Sequence, residues 1–224
     1  DKVSRIILEG KGISLSTDII KKSAQNNITI DFIDQDAICY ASLLTNKAST
    51  TQTIHKQALV LKTSLQLELA ICFIKGKAKN QINYLKYLDK YHNLLDENIT
   101  KMETILQLNV KKSQNTEQLL GYEGSISALY WEGLRIILEV PFEKRVTFGA
   151  KDIVNSSLNY GYAILYGKIQ HSLVHAGLSL NISFLHALDE QKPTLVFDMI
   201  EEFRTFVVDR TIISMINKNE PISL

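Results

Sequence analysis

Glu123, His186, Asp198 and Glu201 are the side chains in this chain best suited to chemistry, because three carboxylates and an imidazole at these spacings fit a site for a divalent cation. Glu123 falls on the stripe Leu119, Glu123, Ile126, Tyr130, Leu134 and Ile137, a helical spacing that turns its carboxylate toward an apolar core. A charge in that position must be paired. Gly121 and Gly124 bracket it, and two glycines near a helix start each cost roughly 1 kcal/mol relative to Ala, so close approach by another group is expected there. Asp198 and Glu201 are three apart and share one helix face, and His186 lies in the short segment before that helix.

Each residue also has an ordinary reading. A glutamate on a helix stripe can neutralise a buried Lys or Arg, a histidine in an apolar loop can be a hydrogen-bonded core residue, and an Asp/Glu pair near a helix start can serve capping and the helix dipole. Composition and spacing leave both readings open.

The elements that must position these groups fall into two unequal parts. Alternating residues from Val3 to Leu8, a short helix after the N-cap candidate Ser16, and β-rich runs at Ile28 to Ile33 and Ala37 to Leu44 predict a small mixed sheet. Asp31, Asp34 and Asp36 lie in a strand and its following turn with no histidine near in sequence, so a solvated cluster is expected. After the polar stretch Thr45 to Gln52 the period becomes helical, first at Ile54, Ala58, Leu61, Leu65 and Leu69, then at Ala78, Ile82, Leu85 and Leu88. Asp152 can cap a further helix that Gly177 ends, and Thr194 can start the one carrying Asp198 and Glu201. The predicted class is α+β, with a small β-rich domain over 1–46 followed by a larger all-α domain over 53–224.

With 224 residues and 45% hydrophobic content, the chain can bury one sizeable core and a small satellite. Cys39 and Cys72 have neither the number nor the spacing of a disulfide framework or a zinc site, which suits a reducing compartment. The longest apolar run, Leu69 to Ile74, is far short of a membrane span, and no signal peptide is recognisable. A Gly-rich phosphate loop and a defensible Ser/His/Asp order are both missing, which leaves nucleotide hydrolysis and acyl transfer unsupported. The net charge of +1 lacks the basic excess usual for proteins that neutralise several phosphates, so local groups must carry any nucleic-acid reading. Candidates are Lys75, Lys77 and Lys79, expected in one inter-helix turn, and Lys144 with Arg145 after Pro141; a solvated face is the ordinary explanation of such clusters.

Several segments, in order along most of the chain, resemble the CRISPR-associated spacer integrase, the catalytic subunit of the spacer-acquisition complex. They are Gly12 to Asp18 with Ile28 to Asp34; Gly76-Lys77-Ala78-Lys79-Asn80-Gln81; Gly121-Tyr122-Glu123-Gly124; Asn155 to Tyr162; His175-Ala176-Gly177-Leu178; Phe184-Leu185-His186; and Asp198 to Arg204. Two departures stand out: Arg145 to Asp152 replaces a basic, proline-rich stretch, and Ser183 replaces a glycine before Phe184.

The resemblance implies Glu123, His186 and Glu201 as metal ligands, and Asp198 as a second essential acid that binds the ion directly or through water. Oxygen-rich ligands with one imidazole and no cysteine favour Mg²⁺ or Mn²⁺ over structural zinc. The implied activity is metal-dependent joining of the 3′-hydroxyl ends of captured DNA fragments into a repeat array during antiviral defence. A metal-dependent nuclease without integrase activity and a non-catalytic DNA-binding assembly subunit are the alternatives. Implied partners are captured and repeat-array DNA, a second copy of the chain dimerising through the strand-rich part, a small second adaptation subunit, and a fused domain such as a reverse transcriptase, with no membrane involved. The implied compartment is the prokaryotic cytoplasm. Because the chain starts at Asp1 and opens directly into a strand, it is expected to be a piece of something longer.

Overall fold

The computed structural model describes residues 3–34, 39–43, 51–218 and 220. Strands β1 (Arg5–Glu9), β2 (Thr29–Ile33) and β3 (Cys39–Leu43) form one sheet in the order β1-β2-β3. β1 runs parallel to β2, with Ile7 opposite Asp31, and β3 runs antiparallel to it, with Ser42 opposite Asp31. The crossover between the parallel strands is helix α1 (Thr17–Gln25), whose N-cap Ser16 accepts a hydrogen bond from the Ile19 backbone N–H.

The helices are α2 (Thr51–Val60), α3 (Leu65–His92), α4 (Asp96–Leu108), α5 (Thr116–Ile137), α6 (Ile153–His175), α7 (Thr194–Phe203) and α8 (Arg210–Asn217). A small mixed sheet followed by a mainly helical body is the α+β arrangement predicted. Of the predicted junction, Thr45 to Gln52, residues 45–50 lie outside the described residues, and Thr51 and Gln52 already belong to α2.

The break between the first two helices differs from expectation. It lies at 61–64, where Thr63 Oγ1 donates to Val60 O and the chain bends by 90° into α3. The Gly76–Gln81 motif is therefore mid-helix, not a turn. Its composition serves packing: a Cβ on Gly76 would lie 3.0 Å from Glu202 Cγ, and Asn80 Nδ2 donates to Glu202 O at 2.8 Å, so α3 and α7 meet closely along this face.

α3 is the central helix, packed against α4, α5 and α7. Leu85, Leu95, Met102, Leu119, Tyr130, Leu134 and Leu158 are fully buried around it, each contributing about 1.5–3 kcal/mol for an aliphatic or aromatic side chain removed from water. α6 is capped by Asp152, which accepts from the Asn155 backbone N–H, and Gly177 follows its C-terminus in the left-handed conformation at φ 73°. Among the described residues no single helix is long and apolar enough to cross a membrane.

The sheet is fastened to α6 by polar groups. Asp31 is buried, paired with the Arg5 guanidinium and accepting from Ser42 Oγ at 2.5 Å, while His171 Nδ1 lies 3.8 Å away and His175 Nε2 is hydrogen-bonded to Thr29 Oγ1 at 2.8 Å. The expected solvated aspartate cluster is corrected at Asp31: folding brings two histidines from α6 to the central strand. Asp36 lies outside the described residues.

Candidate metal centre

Glu123 sits about two turns into α5, where Asn115 caps the helix by accepting from the Gln118 N–H. The stripe that carries it is buried at Leu119, Ile126, Tyr130, Leu134 and Ile137, as its spacing predicts. Its carboxylate meets the Lys77 ammonium from α3 and accepts from Ser127 Oγ at 2.8 Å. Gly121 and Gly124 have open space where a Cβ would lie, so the close approach expected at them is made by no described residue of this chain.

Glu201 comes to the same ammonium from α7, with Oε2 at 2.5 Å from Lys77 Nζ as an ion pair rather than an aligned hydrogen bond. Arg204 Nε approaches its other oxygen at 3.3 Å. Burial alone would raise the Glu201 carboxyl pKa, but the Lys77 and Arg204 charges outweigh it and hold the group below its ordinary value. Lys77 responds in kind: burial would lower its pKa, and Glu201 with Glu123 more than reverse that. Lys77 is thus a buried counter-ion and not the surface charge expected of it. Lys75 is half-buried and Lys79 exposed on the same helix.

Asp198 is fully buried and organises the His186 loop. Its Oδ2 accepts the backbone N–H of Phe184 at 2.6 Å and of Leu185 at 3.0 Å; its Oδ1 accepts the His186 backbone N–H at 3.0 Å and His186 Nδ1 at 2.7 Å. An ionised carboxylate has about four acceptor positions, all of them used here, so Asp198 supports the imidazole and has no lone pair directed at an ion. Because a carboxylate can only accept, His186 Nδ1 carries the hydrogen and Nε2 keeps its lone pair on the opposite side of the ring. The loop is pinned further by Gln57, which donates to Ser179 O and Ile182 O, by Gln66 donating to Phe184 O, and by the Ser183 hydroxyl donating to His186 O at 2.8 Å. The Ser183 hydroxyl thereby closes the turn that presents the histidine.

Beyond Glu201 the helix continues as a π segment, Arg204–Asp209, before α8. Asp209 is fully buried within it and accepts from Tyr130 OH at 2.9 Å and from Tyr162 OH. Burial pushes the Asp209 carboxyl up, and burial followed by the Asp209 charge pushes both tyrosines well above their ordinary range. The Arg204 guanidinium lies 4.8 Å from the Tyr162 ring centroid, so the π segment aims an arginine at Glu201 on one side and an aromatic wall on the other. Such insertions are frequent at functional sites.

That wall belongs to an open groove of about 1110 Å³, whose lining includes Lys77, Trp131, Arg145, Tyr160, Tyr166 and Arg204. Arg145 is not a free phosphate-binding group, since its guanidinium donates to Val146 O, Asn155 Oδ1 and Asn159 Oδ1 and lies beside the Trp131 and Tyr162 rings. Lys144 is exposed.

The donor set suits a hard or borderline cation. Two carboxylates from different helices already converge on one positive charge. Among the described residues no group of three or more His, Cys, Asp or Glu is gathered tightly enough to hold an ion as the side chains stand, and the Lys77 ammonium contacts both Glu123 and Glu201. Sequence reasoning did not anticipate Lys77 as the hub of the site, nor Gln57, Gln66, Tyr130, Tyr162 and Asp209 as its supports. The helical phase of Ala70, Ile74, Lys77, Gln81 and Leu85 was the available signal for Lys77 and Gln81, since that stripe is the buried face of α3.

The fold has clear counterparts. The family described as CRISPR associated protein Cas1 matches residues 1–222. A relative from Francisella tularensis subsp. novicida, named CRISPR-associated endonuclease Cas1 1, is 32% identical over 221 residues, covering 96% of this chain and 69% of its own length. Among solved structures, a casposase bound to integration product superposes with TM-score 0.84 at 26% identity, over 100% of this chain and 63% of that one. A Cas6-RT-Cas1–Cas2 complex matches with TM-score 0.81 at 20% identity, over 98% of this chain and 24% of that one, a likeness of fold. The present chain spans roughly two thirds of the first two. The chain belongs to the Cas1 family.

Proposed function

We propose that this chain carries the strand-transfer centre of a spacer-acquisition integrase, with Glu123, His186 and Glu201 as ligands of Mg²⁺ or Mn²⁺ and Asp198 as the residue that holds His186 in the ligating tautomer. The observation that supports it most is the pairing of two carboxylates around a position of positive charge with an imidazole whose Nδ1 is committed to a saturated buried carboxylate. An ion bound there would lower the pKa of an attacking hydroxyl and stabilise charge gathering on the phosphoryl oxygens. In the joining reaction a DNA 3′-oxygen forms a new bond to phosphorus, and the bond to the displaced 3′-oxygen of the target strand breaks, with a proton lost from the attacking hydroxyl and one gained by the leaving oxygen. Water as the attacker gives hydrolysis instead, so cleavage and joining share these residues.

The chain's own groups place the strand. Tyr160, Tyr166 and Trp131 line the groove and offer faces on which bases can stack. Lys75, Lys79 and Lys144 are the remaining candidates for phosphate contacts outside it. The casposase neighbour is bound to integration product, and the Cas6-RT-Cas1 neighbour is in a complex with Cas2. By analogy this chain takes captured and repeat DNA, a Cas2-like subunit and a second copy docked through its sheet, in the prokaryotic cytoplasm, with a fused reverse transcriptase consistent with the second relative. The test is strand transfer onto repeat DNA with the partner subunit and Mn²⁺. Joined product that disappears in Glu123→Gln is expected. Cleavage without joining would make the protein a nuclease, and DNA binding with neither activity would make it an assembly subunit.

A further inference from the structure

A lysine is a costly residue to place in the middle of a buried helix face, and Lys77 is held there by two carboxylates that come from separate helices. Glu123 is on α5 and Glu201 on α7, and no other described cation touches both. Gly76 next to it leaves room for the Glu202 side chain of α7, whose Cγ would lie 3.0 Å from a Cβ there. Lys77 is also on the wall of the groove, so its four-carbon stem has open volume to swing into. The carboxylates have no such freedom. Glu123 is tied by Ser127 and Glu201 is bracketed by Arg204.

We propose that Lys77 is a resident cation of the centre: it holds Glu123 and Glu201 together while no metal is bound, and a divalent ion enters by displacing its ammonium into the groove. This rests on the metal-site reading above. Two consequences follow from charge alone. A +2 ion and a +1 ammonium cannot share the gap between the same two carboxylates without strong repulsion, so Lys77 weakens metal binding by competition. The displaced ammonium then stays at the inner end of the groove, where a DNA phosphate would be its new partner, coupling metal entry to strand binding. Lys77 is accordingly a positioning residue that acts through the ligands, not a ligand itself.

The experiment is Mn²⁺ titration followed by the electron paramagnetic resonance signal of free Mn²⁺, with wild type, Lys77→Met and Glu201→Gln. Expected are measurable binding by wild type, binding at least tenfold tighter by Lys77→Met, and loss of binding in Glu201→Gln. Equal or weaker binding by Lys77→Met overturns the displacement while leaving the metal site standing. Absence of binding in both wild type and Lys77→Met overturns the metal-site reading and this inference with it. Should Lys77→Met fail to fold, acylation of the wild-type protein decides the matter by mass spectrometry. Displacement predicts that Lys77 is protected without metal and becomes at least several-fold more reactive when Mn²⁺ is added, whereas unchanged protection refutes it.

Discussion

Asp198→Asn is a change of one atom whose effect can be worked out from the loop it supports. The carboxylate accepts from four donors: three successive backbone N–H groups and His186 Nδ1. An amide keeps one oxygen, which can retain Phe184 and Leu185, and puts an NH₂ group against the His186 N–H and Nδ1–H. Two part-buried donors then face a donor. Each costs about 1–3 kcal/mol when left unsatisfied, so a loss of roughly 2–5 kcal/mol is expected. At about 2–4 °C per kcal/mol for a chain of this size, the thermal midpoint should fall by on the order of 5–20 °C. The imidazole can recover part of this by moving its hydrogen to Nε2 and accepting at Nδ1, but that removes the lone pair needed for a ligand. Metal affinity should therefore drop by roughly 10–100-fold although His186 is still present. Differential scanning calorimetry and Mn²⁺ titration of the same preparation read both effects. A variant that unfolds within about 2 °C of wild type and binds Mn²⁺ equally well would refute the role assigned to Asp198.

Further outcomes are expected elsewhere in the molecule. Gly161→Ala places a Cβ 2.6 Å from Val208 Cγ1 of the π segment, so it should cost roughly 1–3 kcal/mol in urea unfolding, and Val208→Ala in the same chain should recover most of it. His171 has its pKa lowered by burial first and by His175 and Arg5 next, so its contribution is fully present above the ordinary histidine value of 6.5 and is lost as pH falls through the lower folded value. Wild type should lose stability below about pH 6.5 more steeply than His171→Gln, and parallel pH profiles would remove His171 from the sheet anchor. Lys75→Ala with Lys79→Ala should lessen the salt slope of DNA binding by up to roughly 0.9 per lost phosphate contact, and an unchanged slope would return both to a solvated helix face.

The parts of this structure that were legible in the sequence are those set by local pattern. Ser16, Asp152 and Thr194 mark helix starts, Gly177 a helix end, and the stripe through Glu123 gave the buried face of α5, because caps and periodicity act over a few residues. What was missed depends on partners distant in sequence. Gly76, Lys77 and Asn80 read as a turn because the family resemblance implied one there, yet each answers a group on α7 more than a hundred residues later, namely Glu202 Cγ, Glu201 and Glu202 O. Asp31 read as solvated for the same reason: its partners Arg5 and His171 belong to another strand and to α6. Asp198 was recognised as an essential acid, but whether it touches an ion turns on its four donors, and only the folded loop puts them in place. The residues of the candidate centre were thus visible as types, and their roles became readable from the side chains that satisfy or crowd them.

The most direct measurement of the central claim is the anomalous scattering of Mn²⁺ in crystals of the protein soaked in that ion. The account predicts a peak with Glu123 and Glu201 oxygens and His186 Nε2 within about 2–2.6 Å, and Lys77 Nζ withdrawn from the space between the carboxylates. A peak at other residues, or none while Lys77 still bridges Glu123 and Glu201 at saturating Mn²⁺, would contradict it.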